Sequence, residues 1–327
     1  MDSVPVIIDL GSGFIKAGFG GEAEPRSRFP SVTGYLAHTD TWYVGDEAQS
    51  KRRILALEHP IKNGNVTDWD NMEKIWHNIF YDQLRVSPEE QRVLWGDSPL
   101  GIKVGRQKQA QILFETFNVR AAFVGIQGQQ VLSASHLMTG LVVDCGEDKT
   151  EITPTFEGFA FVQQTKRLPI GGRKLTNRFM ERLRQRGHTF ADHDDELVRD
   201  MKEKLCYVAL DYAAEEQKDL MGQIPEQTYE LPTGEVLSLG KERYESSEYL
   251  FDHADDDEHN LGYAVYHALD KIDLDIKREL LKNIVVSGGT SLLPGFAERL
   301  RQEVANRAPQ GAVVNVLAPS ERLNSAW

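Results

Sequence analysis

The chain has 327 residues, 40% of them hydrophobic and 27% charged, with a formal net charge of −13. No apolar run approaches the roughly 20 residues of a bilayer-spanning helix, and the N-terminus lacks the basic stretch and long apolar segment of a secretory leader. Two cysteines, Cys145 and Cys206, offer no disulfide framework or zinc set and point to a reducing interior, while the acidic balance argues against non-specific binding to nucleic acid.

In chain order, "VPVIIDLGSGFIKAGFGG" (4–21) reads as an apolar strand that meets Asp9, a Gly-Ser-Gly turn and a returning strand. By itself such a turn is more often structural than functional. Further apolar, β-branched runs at 102–104, 121–126, 140–144 and 283–287 read as strands. Segments with helical spacing lie between them. "DNMEKIWHNIFYDQL" comes first, then "RQKQAQILFETF", with Ile112, Leu113 and Phe117 on one face. "GGRKLTNRFMERLRQRG" follows, and "DDELVRDMKEKLCYVALDYAAEEQ" reads as a single amphipathic helix with Asp195 as its acidic cap.

"GLVVDCGEDKTEITPTFEG" (140–158) repeats the strand–Asp–turn–strand figure around Asp144, in a more acidic form. The run "DHADDDEHN" (252–260) reads as a solvated loop, because the glycine and terminal glutamate of a calcium-binding EF-hand are missing. A third glycine turn, Ser287-Gly288-Gly289-Thr290, sits between a strand and a helix in "NIVVSGGTSLLPGFAERL". Exposed amides at such a turn suit a phosphate, although a plain strand-to-helix connection would look alike. Strands interleaved with helices indicate an α/β architecture. The length allows two domains, and no low-complexity linker divides them. The repeated Asp turns suggest a duplication whose halves face each other across a cleft.

Together these segments resemble the actin family, within the wider fold shared with heat-shock chaperones and sugar kinases. The resemblance runs from residue 4 to the last residue. Its most specific stretches are "YVGDEAQSKRRIL", "DWDNMEKIWHNIFYDQLRVSPEEQRVL", "FETFNV", "VRDMKEKLCYVALD", "YELPTGEV" and "SGGTSLLPGF". By "VGDEAQSKR" and "KEKLCYVALD", conventional actin is a nearer relative than the dynactin-type actin-related proteins.

The resemblance implies an actin-like ATPase fold: two similar lobes, each a mixed sheet flanked by helices, with a nucleotide cleft between them. It implies a first lobe over 1–134 with a small insertion at 31–59 and a shortened loop at 35–42. A second lobe spans 135–324 with an insertion at 171–258, and 325–327 begins a return to the first lobe.

It further implies ATP or ADP with Mg2+ in the cleft. Asp9, Gly11, Ser12, Gly13 and Lys16 match the first phosphate turn, and Asp144 and Gly146 the second. Both aspartates would hold the cation through water. Gly172, Arg199, Lys202 and Glu203 match the nucleoside side, with Gly288, Gly289 and Thr290 on the third turn. A surface salt bridge along a helix explains Lys202 and Glu203 equally well without the match. Gln127 matches the glutamine that orients the attacking water, a role suited to an amide that donates and accepts at once.

The chain also departs from the family. Where actins read Asp-Ser-Gly-Asp-Gly-Val-Thr-His, this sequence has Asp144, Cys145, Gly146, Glu147, Asp148, Lys149, Thr150 and Glu151. Asp148 adds a negative charge beside the phosphates, of which Lys149 offsets part. Cys145 replaces a hydroxyl with a weak thiol donor, and Glu151 takes the place of a histidine that helps organise catalytic water. One lost hydrogen bond and one added repulsion, each about 1–3 kcal/mol, weaken binding on the order of ten- to a thousand-fold and slow or abolish hydrolysis. The protein is then at most a slow ATPase. Leu293 and Leu323 stand at the nucleotide's base in place of an aromatic residue and a lysine.

"YLAHTDTW" is shorter than the family's filament-contact loop, which weakens self-association; Trp42 reads as a buried aromatic, with a replacement anchor as the alternative. Actins continue past the position of Trp327, so the resemblance implies uncovered apolar surface there, in a truncated chain or beneath a partner. The leading expectation is a cytoplasmic, cytoskeletal nucleotide-binding protein able to form filaments and to meet actin-binding partners, without nucleic acid or membrane. The alternatives are a non-polymerising actin-related subunit of a larger complex and, third, a phosphotransferase.

Overall fold

The computed structural model describes residues 4–191, 194–251 and 260–327. The acidic run read as a solvated loop lies outside the described residues, except for Asn260, whose side chain caps the helix Leu261–His267.

The first lobe opens on an antiparallel hairpin of β1 (Val6–Leu10) and β2 (Phe14–Phe19), with β3 (Ser27–Pro30) beside β2. A small sheet of β4 (Thr33–Leu36), β5 (Thr41–Val44) and β6 (Ala56–Glu58) packs with the helix Asp46–Ser50 around Val32, Ala48 and Leu55. A short hairpin follows, β7 (Ile61–Lys62) and β8 (Asn65–Val66). Its turn is Asn63–Gly64, both at positive φ, as a two-residue hairpin turn requires. Strands β9 (Arg92–Asp97) and β10 (Ala121–Ile126) then add in parallel on the far side of β1, giving the order β10-β9-β1-β2-β3.

The second lobe repeats this plan. An antiparallel hairpin of β11 (Gly140–Cys145) and β12 (Thr150–Phe156) carries β13 (Phe159–Ala160) and β14 (Lys166–Leu168) on its outer strand. A separate hairpin, β15 (Gln227–Glu230) and β16 (Val236–Leu239), belongs to the helix-rich segment between. Strands β17 (Ile284–Ser287) and β18 (Val316–Leu317) line up in parallel beyond β11. The duplication read from two Asp turns is thus a duplication of sheet topology.

Alternation along the strands decides where the aspartates point. Val6, Ile8 and Leu10 enter a core shared with Met72, Ile75, Trp76 and Phe80, so Asp9 must face the other way. Leu141, Val143 and Cys145 do the same in the second lobe and leave Asp144 on the opposite face. Burying one large apolar side chain is worth about 1.5–3 kcal/mol. A one-residue slip would bring a carboxylate into the core face of each hairpin in place of an apolar side chain, so the register is strongly fixed.

Three elements differ from the sequence reading. Residues 102–104 are not a strand: Ile102 and Val104 are 58% and 69% exposed at the start of the helix Lys103–Gln111. A run of three lacks the length that marks a strand. The strand in that region is β9, where Val93 and Trp95 alternate into the core. The long helix from Asp194 is also two, Asp195–Leu205 and Tyr212–Leu220. Cys206 turns extended, the Val208 amide donates to Pro294 O at 2.8 Å, and Asp211 caps the second helix through the Ala214 amide at 3.0 Å. Asp195 is a first-turn residue, acting on the helix dipole rather than capping it. Lastly, the helices Trp69–His77 and Lys103–Gln111 each finish in a wider π-turn, Asn78–Gln83 and Ile112–Thr116, that buries Ile79, Phe80, Ile112 and Leu113.

Candidate functional site

The two hairpins meet at a cleft of about 580 Å³ between the lobes. In the first hairpin Asp9 lies directly opposite Lys16, and the Lys16 Nζ donates to Asp9 Oδ2 at 2.9 Å. Both are buried, and the other carboxylate oxygen accepts from Gln127 Nε2 at 2.9 Å. Gln127 opens the helix Gln127–Ala134, and only the NH2 end of its amide can serve a carboxylate. In the second hairpin Asp144 pairs in register with Ser287 of β17, whose hydroxyl donates to Asp144 Oδ1 at 2.5 Å. Burial pushes the Asp144 carboxyl above its ordinary value and the negative charge of Asp9 adds to that, against the Ser287 hydrogen bond. The two aspartates therefore feel each other across one gap.

Turn glycines bring the walls together. A Cβ on Gly13 would sit 2.9 Å from Glu147 Cβ, so the first turn touches the second. Gly288 has φ +84°, and a Cβ there would lie 2.3 Å from the Cys145 carbonyl oxygen; only glycine lets the third turn close on β11. The Gly146 carbonyl accepts from the Gly172 amide at 3.0 Å and the Thr290 hydroxyl at 2.8 Å, which ties the second turn to the third. Lys202, 4% exposed, donates to Gly172 O and Thr176 Oγ1, both at 2.9 Å.

Of the residues singled out in the sequence, Asp9, Gly11, Ser12, Gly13, Lys16, Gln127, Asp144 and Gly146 line the cleft. So do Lys202, Glu203, Gly288, Gly289 and Thr290, with Leu293 and Leu323 as apolar wall. Three stand elsewhere. Gly172 backs the second turn. Arg199 lines an adjoining chamber of about 350 Å³, its guanidinium 5.0 Å from the Phe14 ring and paired with Glu196 at 2.5 Å. Glu151 is buried just behind the cleft wall, accepting from Ser98 Oγ at 2.7 Å and Lys149 Nζ at 2.9 Å, both of which line the cleft, with the Arg167 guanidinium at 3.2 Å. Trp42 is 39% exposed rather than buried, its ring tilted against that of Tyr35 at 4.7 Å and beneath the Lys74 ammonium.

The family model for actin matches residues 1–327. The chain belongs to the actin family. Its two-lobed α/β architecture is the actin fold, that of nucleotide-binding ATPases.

In this actin-family cleft Glu147, Asp148 and Lys149 of the acidic second turn also form lining. The sequence reading missed Phe14 and Arg28, which line it too, with the Arg28 guanidinium 3.8 Å from the Phe14 ring. The Asn63–Gly64 turn was also missed, although Asn-Gly between Ile61 and Val66 is a hairpin signal on its own terms. Among the described residues no group of three or more His, Cys, Asp or Glu side chains is placed to cage a metal. Asp9 and Asp144 alone fit a cation that keeps most of its water, and their mutual repulsion is what such a charge would relieve. Among the described residues no helix is long and apolar enough to cross a membrane.

Proposed function

We propose that this protein binds ATP or ADP with Mg2+ between its lobes, hydrolyses ATP slowly at most, and serves as a cytoplasmic, cytoskeletal actin-like subunit. One observation carries the reading: two topologically equivalent hairpins aim Asp9 and Asp144 into one cleft, close enough to interact electrostatically. When bound, the cation would neutralise phosphate charge. Asp9 and Asp144 would hold its water shell, while Lys16 and the amides of the Gly11–Gly13 turn bind phosphate oxygens. Gln127, fixed by Asp9, would position water beside them. Lys202, Glu203, Leu293 and Leu323 would accept the nucleoside.

Slow turnover follows from Glu151. It faces Ser98, Lys149 and Arg167, so it is not free to polarise a water in the cleft. A non-polymerising role in a larger complex is the second reading. It is favoured by the Thr33–Val44 hairpin, closed by a short turn with Tyr35 OH on Asp40 at 2.8 Å, which leaves little loop to reach a neighbouring subunit. Protein loaded with Mg-ATP, desalted, then denatured and assayed by chromatography should release adenine nucleotide in about one-to-one ratio. Failure to retain or bind any nucleotide by calorimetry would sink the proposal.

A further inference from the structure

We propose that Asp148 makes this cleft selective for a nucleoside diphosphate, because its carboxylate already occupies donors suited to a terminal phosphate; the inference rests on the nucleotide-binding reading above. Asp148 lies in the turn between β11 and β12, lines the cleft, and has a side chain only 9% exposed. Its Oδ2 accepts from the backbone amide of Asn63 at 3.1 Å, and its Oδ1 from Arg173 Nε at 2.7 Å. A backbone N–H from one lobe and a guanidinium from the other are the donors that a phosphate oxygen pair selects. Here a carboxylate holds both.

The surroundings fix it there. The next amide of the same turn, Gly64 N, donates to Ser12 Oγ at 3.1 Å, so the Asn63–Gly64 hairpin bridges the first and second phosphate turns. Lys149 runs beneath it, since a Cβ on Gly64 would sit 2.6 Å from Lys149 Cε. The Lys149 ammonium is committed to Glu151 at 2.9 Å rather than left over for a ligand. Both cations at this end are therefore matched by carboxylates, and two donors hold Asp148 where its own side chain is only 9% exposed. The inner phosphates still find Lys16 and the Gly11–Gly13 amides. A third phosphate would have to approach a fixed negative charge whose compensating donors are taken.

Calorimetric titration of the full chain with Mg-ADP and Mg-ATP tests this, on the native protein, Asp148→Gly and Asp148→Asn, with thermal melting to confirm folding. The native protein should bind Mg-ADP about tenfold or more tighter than Mg-ATP. Asp148→Gly should erase or reverse that preference, chiefly by tightening Mg-ATP. Asp148→Asn, which keeps the volume and removes the charge, should fall between, and carries the test if the glycine variant does not fold. Equal affinities in the native protein, or a preference unchanged by both substitutions, overturns the selectivity and leaves nucleotide binding intact. Binding of neither nucleotide by the native protein overturns the proposed function, and this inference with it.

Discussion

Asp144 carries a cost that only the cleft explains. It is a half-buried carboxyl with one hydroxyl donor and a second carboxylate nearby, and its folded-state pKa lies above the ordinary 3.8. The folded protein therefore keeps this proton to higher pH than the unfolded chain does. Between 3.8 and the raised value the folded state binds more protons, so this group's contribution to stability falls as pH rises through that window. Asp144→Asn should flatten that part of the stability–pH profile, read by denaturant unfolding at successive pH values. Mg-nucleotide affinity should run the opposite way and rise with pH as the carboxylate forms. A variant with the native profile would remove the assigned cause. Glu151 shows the limit of reading residues singly. Its identity was plain in the sequence, but Ser98, just past β9, and Arg167, opposite it on β14, hold it only once folding brings them together.

Among the elements, the third turn and the helix after it are the most exposed to substitution. Gly288→Ala forces a side chain into positive φ and against backbone, not a side chain that can yield. The strain alone costs about 1–3 kcal/mol, and the β11–β17 junction should open, seen as a lower unfolding midpoint together with weaker nucleotide binding. The helix Phe296–Arg307 is anchored to Glu242–Glu248 by Arg299 and Glu248, paired at 2.7 Å with side chains 10% and 7% exposed. Glu248→Ala removes two charge-assisted hydrogen bonds from a guanidinium that keeps Glu303 and the Ala209 carbonyl, and should destabilise by about 1–3 kcal/mol in chemical denaturation. A loss below about 1 kcal/mol would mean the pair behaves like a surface one. Helices with a clear apolar stripe, such as Gly172–Gln185, were legible from spacing. The break at Cys206 was not, because its cause is a hydrogen bond to the Pro294 carbonyl across the fold.

At the scale of the molecule, the question is whether copies assemble. The short Thr33–Val44 hairpin predicts that any filament has a critical concentration well above that of an actin with a full-length loop. Sedimentation across protein concentration, with Mg-ADP and Mg-ATP, checks this; pelleting at low concentration would contradict it, and persistent monomer would support the complex-subunit reading.

The sequence by itself determined the two apolar hairpins, the aspartate at each, and so the lobes' repeated plan. Alternation leaves a lone carboxylate nowhere to go but the face opposite the core. It could not decide what the acidic second turn does. Whether Asp148 repels a ligand or is already neutralised depends on Arg173, from the helix after its own hairpin, and on Asn63, which the other lobe brings beside it. Charge is a property of residues, but compensation of charge is a property of geometry, and geometry came with the tertiary structure.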